Sequence, residues 1–109
     1  MVSPKQSCAP RRTRRLSDVT KFVEGGHGRY SISTENGEAV MTFSITSPSL
    51  VIVDHTEVPL QDEGKGHAGL LARFLVEEAR RDHFKVVPLC PFLNMWRRKH
   101  PEAADIFQT

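Results

Sequence analysis

Apolar and polar side chains alternate along the first half of the folded chain. Arg29-Tyr30-Ser31-Ile32-Ser33 reads as a half-exposed strand. Asn36-Gly37 marks a two-residue turn, since both residues tolerate positive φ. Ala39 to Ile45 alternates again and completes a hairpin. Ser47-Pro48-Ser49 breaks the pattern, and Leu50-Val51-Ile52-Val53 follows as a continuous apolar run rich in β-branched residues. Such a run predicts a third strand covered on both faces. The period then lengthens: Ala68, Leu71, Leu75 and Ala79, widened by Leu70 and Phe74, predict an amphipathic helix over 68–81. Val86 to Cys90 predicts a fourth strand, with a ladder gap at Pro88. Pro91 suits the first position of a last helix over 91–99, which His100-Pro101 ends. The order β-β-β-α-β-α predicts an α+β fold: a mixed, mainly antiparallel sheet with helices packed on it.

Composition narrows the class. The 109 residues suffice for one domain, and 39% apolar with 26% charged residues describes an ordinary globular chain. No apolar run approaches the ~20 residues that span a bilayer. Two cysteines, Cys8 and Cys90, exclude a disulfide framework and a CxxC-type zinc site, and point to a reducing, cytoplasmic setting.

The net charge of +2 averages two unlike regions. Residues 1–17 carry Lys5, Arg11, Arg12, Arg14 and Arg15 and no acid, whereas the remainder has ten basic residues against thirteen acidic ones. The arm over residues 1–20 reads as disordered, ahead of a domain over 21–109. An acid-free arginine-rich arm suits an organelle leader, a phosphate-backbone contact, an anionic lipid contact or a solvated tail. A mildly acidic domain makes nucleic acid a poor partner for the fold itself, and no membrane partner is expected. Oligomeric state is left open.

The chemistry concentrates between the third strand and the first helix, in Val58-Pro59-Leu60-Gln61-Asp62-Glu63-Gly64-Lys65-Gly66-His67. A helix start offers unpaired N–H groups and a positive dipole end, which together bind anions. Gly64 and Gly66 let a phosphate approach the backbone, and Lys65 adds a positive charge. The sequence is not a Walker loop, because His67-Ala68 follows Gly66. Gly64, Gly66 and Gly69 match GxGxxG, but a hairpin precedes them rather than repeated βαβ units.

Gln61-x-x-Gly64-x-Gly66 resembles the [R/Q]-x-x-G-x-[G/A] loop of the GNAT superfamily of acyl-CoA-dependent N-acetyltransferases. His55-Thr56-Glu57-Val58-Pro59, the Gly64-Lys65-Gly66 loop, Val87-Pro88-Leu89-Cys90-Pro91-Phe92 and His100-Pro101-Glu102 are similar, in order, to its small truncated single-domain members. That resemblance spans Tyr30 to about Ile106. It implies a compact acetyltransferase fold in which the third and fourth strands splay apart around the cosubstrate's pantetheine arm. It implies acetyl-CoA as cosubstrate and an unidentified amine as acceptor, with no metal. By position, Val58 and Leu60 would contact the pantetheine through their backbone. Gln61, Gly64, Lys65, Gly66 and His67 would surround the pyrophosphate. Asp62 and Glu63 depart from the more basic residues often found there and are expected to weaken anion binding.

Acetyl transfer needs a base for the ammonium, an oxyanion contact and a proton for the leaving thiolate. His55, at the end of the third strand, is the candidate base. Cys90, at the expected start of the last helix, is the candidate thiol, since a helix N-terminus favours thiolate. Strand order lets the two face each other across the splay, as an acetyl-Cys90 intermediate or as a proton relay. The plainer alternatives are a packed cysteine and a structural histidine. Where the family often has a tyrosine on the last helix, this chain has Trp96, which offers no such proton; Tyr30 lies on the first strand. Asp54 and Glu57 read as strand-end charges, and His67, His83 and His100, taken alone, as surface or capping residues. Met41, Phe43, Phe92 and Trp96 are candidates for core or for the acceptor wall. A non-catalytic acyl-CoA-binding module is the alternative to an enzyme.

Overall fold

The structure, a computed structural model, describes residues 18–108, so the basic arm expected over residues 1–17 lies outside the described residues. The sheet begins earlier than the sequence pattern suggests. Gly25 and Gly26 both take positive φ, 60° and 85°. They close a two-residue turn that folds β1 (Thr20–Glu24) onto β2 (His27–Thr34), with Glu24 opposite His27. All five residues of β1 are exposed, so no buried alternation announces this strand. The paired glycines are its trace in the sequence.

Next come β3 (Gly37–Ser47) and β4 (Leu50–Glu57), then a 3-10 turn over Leu60–Asp62 and α1 (His67–Asp82). The chain continues with β5 (Lys85–Pro88), α2 (Pro91–Lys99) and a 3-10 segment over Pro101–Ile106. The strands lie in the order β1-β2-β3-β4-β5, with only β5 parallel to its neighbour. This is the expected mixed, mainly antiparallel sheet with one strand added at its edge.

Tyr30 and Ile32 of β2, Met41 and Phe43 of β3, and Val51 and Val53 of β4 point to one face and are buried. Against them pack Leu71 and Leu75 of α1 and Leu93 and Trp96 of α2, forming one core. Each such side chain contributes roughly 1.5–3 kcal/mol of burial. Among the described residues the other sheet face carries no helix. Leu50 and Ile52 of β4 are therefore half-buried rather than enclosed, and Ile52 pairs there with Val87. The apolar run of β4 serves one helix-covered face and one cross-strand apolar seam.

A buried carboxylate joins the outer hairpin to α1. Glu78 Oε1 accepts hydrogen bonds from the Tyr30 hydroxyl and Lys21 Nζ, each at 3.0 Å, and Oε2 accepts from Arg81 at 3.0 Å. Burial first, then the charge and hydrogen bond of Glu78, push the Tyr30 phenol far above its ordinary range. Partnered in this way, Tyr30 is a structural hydroxyl.

Gly28 is required by a close approach. A Cβ there would lie 2.6 Å from Phe43 Cζ and 2.8 Å from the Phe22 carbonyl oxygen. Because one of these atoms is backbone, Gly28→Ala must shift β1 itself. We expect the substitution to destabilise the fold by about 1–3 kcal/mol, measured by urea unfolding; an unchanged midpoint would refute the assigned packing.

Candidate active site

β4 and β5 part company halfway along. Their parallel ladder runs from Leu50 opposite Lys85 to Val53 opposite Pro88, and the Leu89 N–H donates to the Val53 carbonyl at 2.9 Å. Beyond that rung β4 continues against β3 to Glu57, while the other chain turns at Cys90 into α2. The edge of β4 from Asp54 to Glu57 thereby faces an opening. At its far end lies a cleft of about 490 Å³, lined by Thr56 and Val58, by the loop and α1 start from Asp62 to Gly69 apart from Lys65, and by Phe92 of α2.

The register of β4 decides which side chains reach this cleft. Phe43 pairs with Val53, yet Thr42 pairs with His55, so Asp54 is an extra residue, a β-bulge. Alternation from Val51 and Val53 would place His55 on the core face. The bulge reverses that assignment. Thr56, opposite Met41, shares the core face, and His55, opposite Thr42, shares the open face with Asp54, whose Oδ1 accepts from Thr42 Oγ1 at 2.6 Å. His55 is accordingly exposed, with Nε2 4.0 Å from Glu57 Oε1.

Cys90 sits elsewhere. It is 2% exposed, caps α2 by accepting the Leu93 N–H at 3.3 Å, and lies 3.3 Å through Sγ from Thr56 Oγ1. The structure does not bring His55 and Cys90 together, because the bulge puts a threonine where alternation alone would put the histidine. Thr56 carries no signature in the sequence, since nothing in the alternation announces the slip.

The loop residues divide in two. Gly64, Gly66 and His67 line the cleft with Val58, while Leu60, Gln61 and Lys65 do not. Leu60 is 78% exposed. Gly64 and Gly66 take φ of 84° and 92°, with open space where a Cβ would stand. Gly66 starts α1 without a side-chain cap. His67, expected at the surface when read alone, is instead buried, and its Nδ1 has no hydrogen-bond partner. Among the apolar candidates for a wall, Phe92 lines the cleft, whereas Met41, Phe43 and Trp96 belong to the core.

Residues 29–106 match the model of the GCN5-related N-acetyl-transferase family, more than half of the chain. This chain belongs to the GCN5-related N-acetyltransferase family. Its fold is similar to the NMR solution structure of a GCN5-like protein from Staphylococcus aureus, at 23% identity and a TM-score of 0.59. That similarity covers 84% of this chain and 90% of the other. No curated protein matches the sequence. Among the described residues no helix is long and apolar enough to cross a membrane.

GCN5-related N-acetyltransferases generally use acetyl-CoA, whose pyrophosphate needs close-approaching N–H donors. The uncapped start of α1, the open space at Gly64 and Gly66 and the unpartnered His67 Nδ1 fit that requirement. In this GCN5-related chain two charges of the loop, Asp62 and Lys65, are paired. Asp62 is fully buried; Oδ2 accepts the Asn36 N–H at 3.0 Å, and Oδ1 accepts Asn36 Nδ2 at 2.9 Å and Lys65 Nζ at 3.1 Å. Lys65 Nζ also reaches Glu35 Oε1 at 3.1 Å. The nearby Thr34 hydroxyl, then Asn36 and Lys65, hold the Asp62 carboxyl well below the ordinary carboxylate range. Glu35 and then Asp62 raise the Lys65 ammonium. Asp62, expected to weaken anion binding, is thus a clasp tying the loop to the β2–β3 turn, and Lys65 is its counter-ion.

A carboxyl with a depressed folded-state pKa stabilises the fold above its unfolded value of ~3.9 and loses that contribution as pH falls through the folded value. Asp62→Asn is therefore expected to lower Tm at pH 7, with the gap to the unmodified protein narrowing below pH ~4. A gap that widens in acid would exclude the clasp.

Proposed function

We propose that this chain transfers an acetyl group from acetyl-CoA to an amine acceptor by direct attack, with the cosubstrate lying along the cleft between β4 and α1. The observation that carries this reading is the continuity of two binding features. The unladdered edge of β4 runs into the uncapped helix start at Gly66. A sheet edge accepts an extended amide-bearing chain by strand addition, and a helix start accepts an anion. In this reading the backbone of Val58 lies along the pantetheine, and Gly64, Gly66 and His67 hold the pyrophosphate. The remaining residues assigned by resemblance, Leu60, Gln61 and Lys65, act in the outer frame of the loop.

Acetyl-CoA supplies an activated acetyl thioester. The chain's own residues orient it, exclude water and move protons. His55, on the open face beside the parting of the strands, is the proposed group that takes a proton from the acceptor ammonium, with Glu57 near its Nε2. Cys90 is the proposed proton holder on the opposite face. Its burial and its place outside the cleft lining favour that role over attack on a bulky thioester. A reducing, cytoplasmic compartment suits this free thiol.

Calorimetry with coenzyme A and intact-protein mass spectrometry after incubation with acetyl-CoA test the reading together. The expected result is saturable coenzyme A binding, lost in the double variant Gly64→Glu, Gly66→Glu while its far-UV circular dichroism is kept. No acetyl adduct is expected on Cys90. An adduct that hydroxylamine removes and Cys90→Ser abolishes would replace direct transfer by a two-step route. Absence of coenzyme A binding to the unmodified chain would overturn the reading altogether. Binding without turnover of acetyl-CoA over a panel of primary amines would favour a non-catalytic acyl-CoA-binding module.

A further inference from the structure

Cys90 has chemistry to offer but no opening of its own. It is 2% exposed, and the cleft is lined by Thr56 and Phe92 on either side of it in the fold, not by Cys90. The Asp54 bulge turns Thr56 inward, so that one residue both lines the cleft and holds its hydroxyl 3.3 Å from Sγ. On its other side Sγ accepts the Leu93 N–H at 3.3 Å, at the start of α2. Sulfur, hydroxyl and cleft therefore form a continuous path, with a backbone donor behind the sulfur.

We propose that Thr56 is the positioning residue that couples the buried Cys90 thiol to the acetyl-transfer cleft, passing a proton between them through its hydroxyl. This rests on the acetyltransferase reading above. The step balances without a further reactant. The Oγ1–H bond of Thr56 breaks as its proton passes to the thiolate that leaves the acetyl group in the cleft, and the Sγ–H proton of Cys90 moves to Oγ1. The thiolate left behind keeps the Leu93 N–H bond. The second proton of the acceptor nitrogen, lost after attack and distinct from the ammonium proton that His55 takes, returns along the same path, restoring both groups. A threonine suits this place because its hydroxyl rotor accepts from a thiol and donates to a thiolate, and the donated bond is the stronger, being charge-assisted.

The test compares Thr56→Val, which keeps the shape without the hydroxyl, and Thr56→Ser, which keeps the hydroxyl. The alkylation rate of Cys90 by iodoacetamide is read by peptide mass spectrometry in the full chain, which separates Cys90 from Cys8. Losing a charge-assisted bond to the thiolate is expected to slow alkylation about tenfold or more in Thr56→Val. Thr56→Ser is expected to restore the rate, and Tm is expected to stay level in both. An equal or faster rate in Thr56→Val, or no rescue by Thr56→Ser, overturns the coupling, since a space-filling threonine would be replaced by valine without loss. Coenzyme A calorimetry on the same samples separates the two failures. Unmodified protein that binds no coenzyme A fails the acetyltransferase reading whatever the alkylation rates, whereas normal binding with unchanged rates fails only the role of Thr56.

Discussion

One extra residue in β4 governs the arrangement of the site. On the helix-proximal side of Asp54, Val51 and Val53 face the core; beyond it, Thr56 does, and His55 turns to the open face. A bulge bends and twists the strand that carries it. Here it falls where the β4–β5 ladder stops at the Leu89–Val53 rung. Divergence of the strands, exposure of the β4 edge and the choice of side chain entering the cleft thus share one local irregularity. A second slip on β3, between Ile45 and Ser47, offsets the first, so the far end of the β3–β4 ladder returns to the register it has beyond Asp54.

The loop that follows is held by charge pairing. Asp62 sits beneath the turn, bound to Asn36 from the first inner hairpin and to Lys65 from the loop itself. With Asp62 and Lys65 paired, the groups left open at the start of α1 are its uncapped backbone N–H groups, with buried His67 beside them. A buried carboxylate with several donors fixes geometry, because any other loop position would leave it unpaired. Glu78 does the same for the outer hairpin, gathering Tyr30, Lys21 and Arg81. Two buried acids hold the two sequence-distant parts of the molecule in register with α1 and its leading loop.

Much of the fold was legible because it follows local periodicity. The helix expected over 68–81 spans 67–82, the last helix matches its expected span, two strands fall where alternation placed them and a third where the continuous apolar run did. β1 escaped because Phe22 and Val23 stay exposed at the sheet edge, so no burial rhythm marks them. The glycine-rich loop at a helix start, and with it the family, was likewise readable, since backbone freedom and helix polarity depend on residue type and order. The position of Cys90 at the start of α2 was readable from Pro91 alone.

The sequence by itself thus determined the element order, the glycine-rich helix start and the acetyltransferase family. Each depends on residues close together in the chain or on motifs in a fixed order. Only the tertiary structure decided that His55 and Cys90 lie on opposite faces, that Thr56 takes the place beside the sulfur, and that Asp62 and Lys65 serve the loop's frame. Those outcomes depend on pairing between strands and on contacts across the fold. A one-residue slip moves every following side chain to the other face, and the residues that fix it belong to the partner strand.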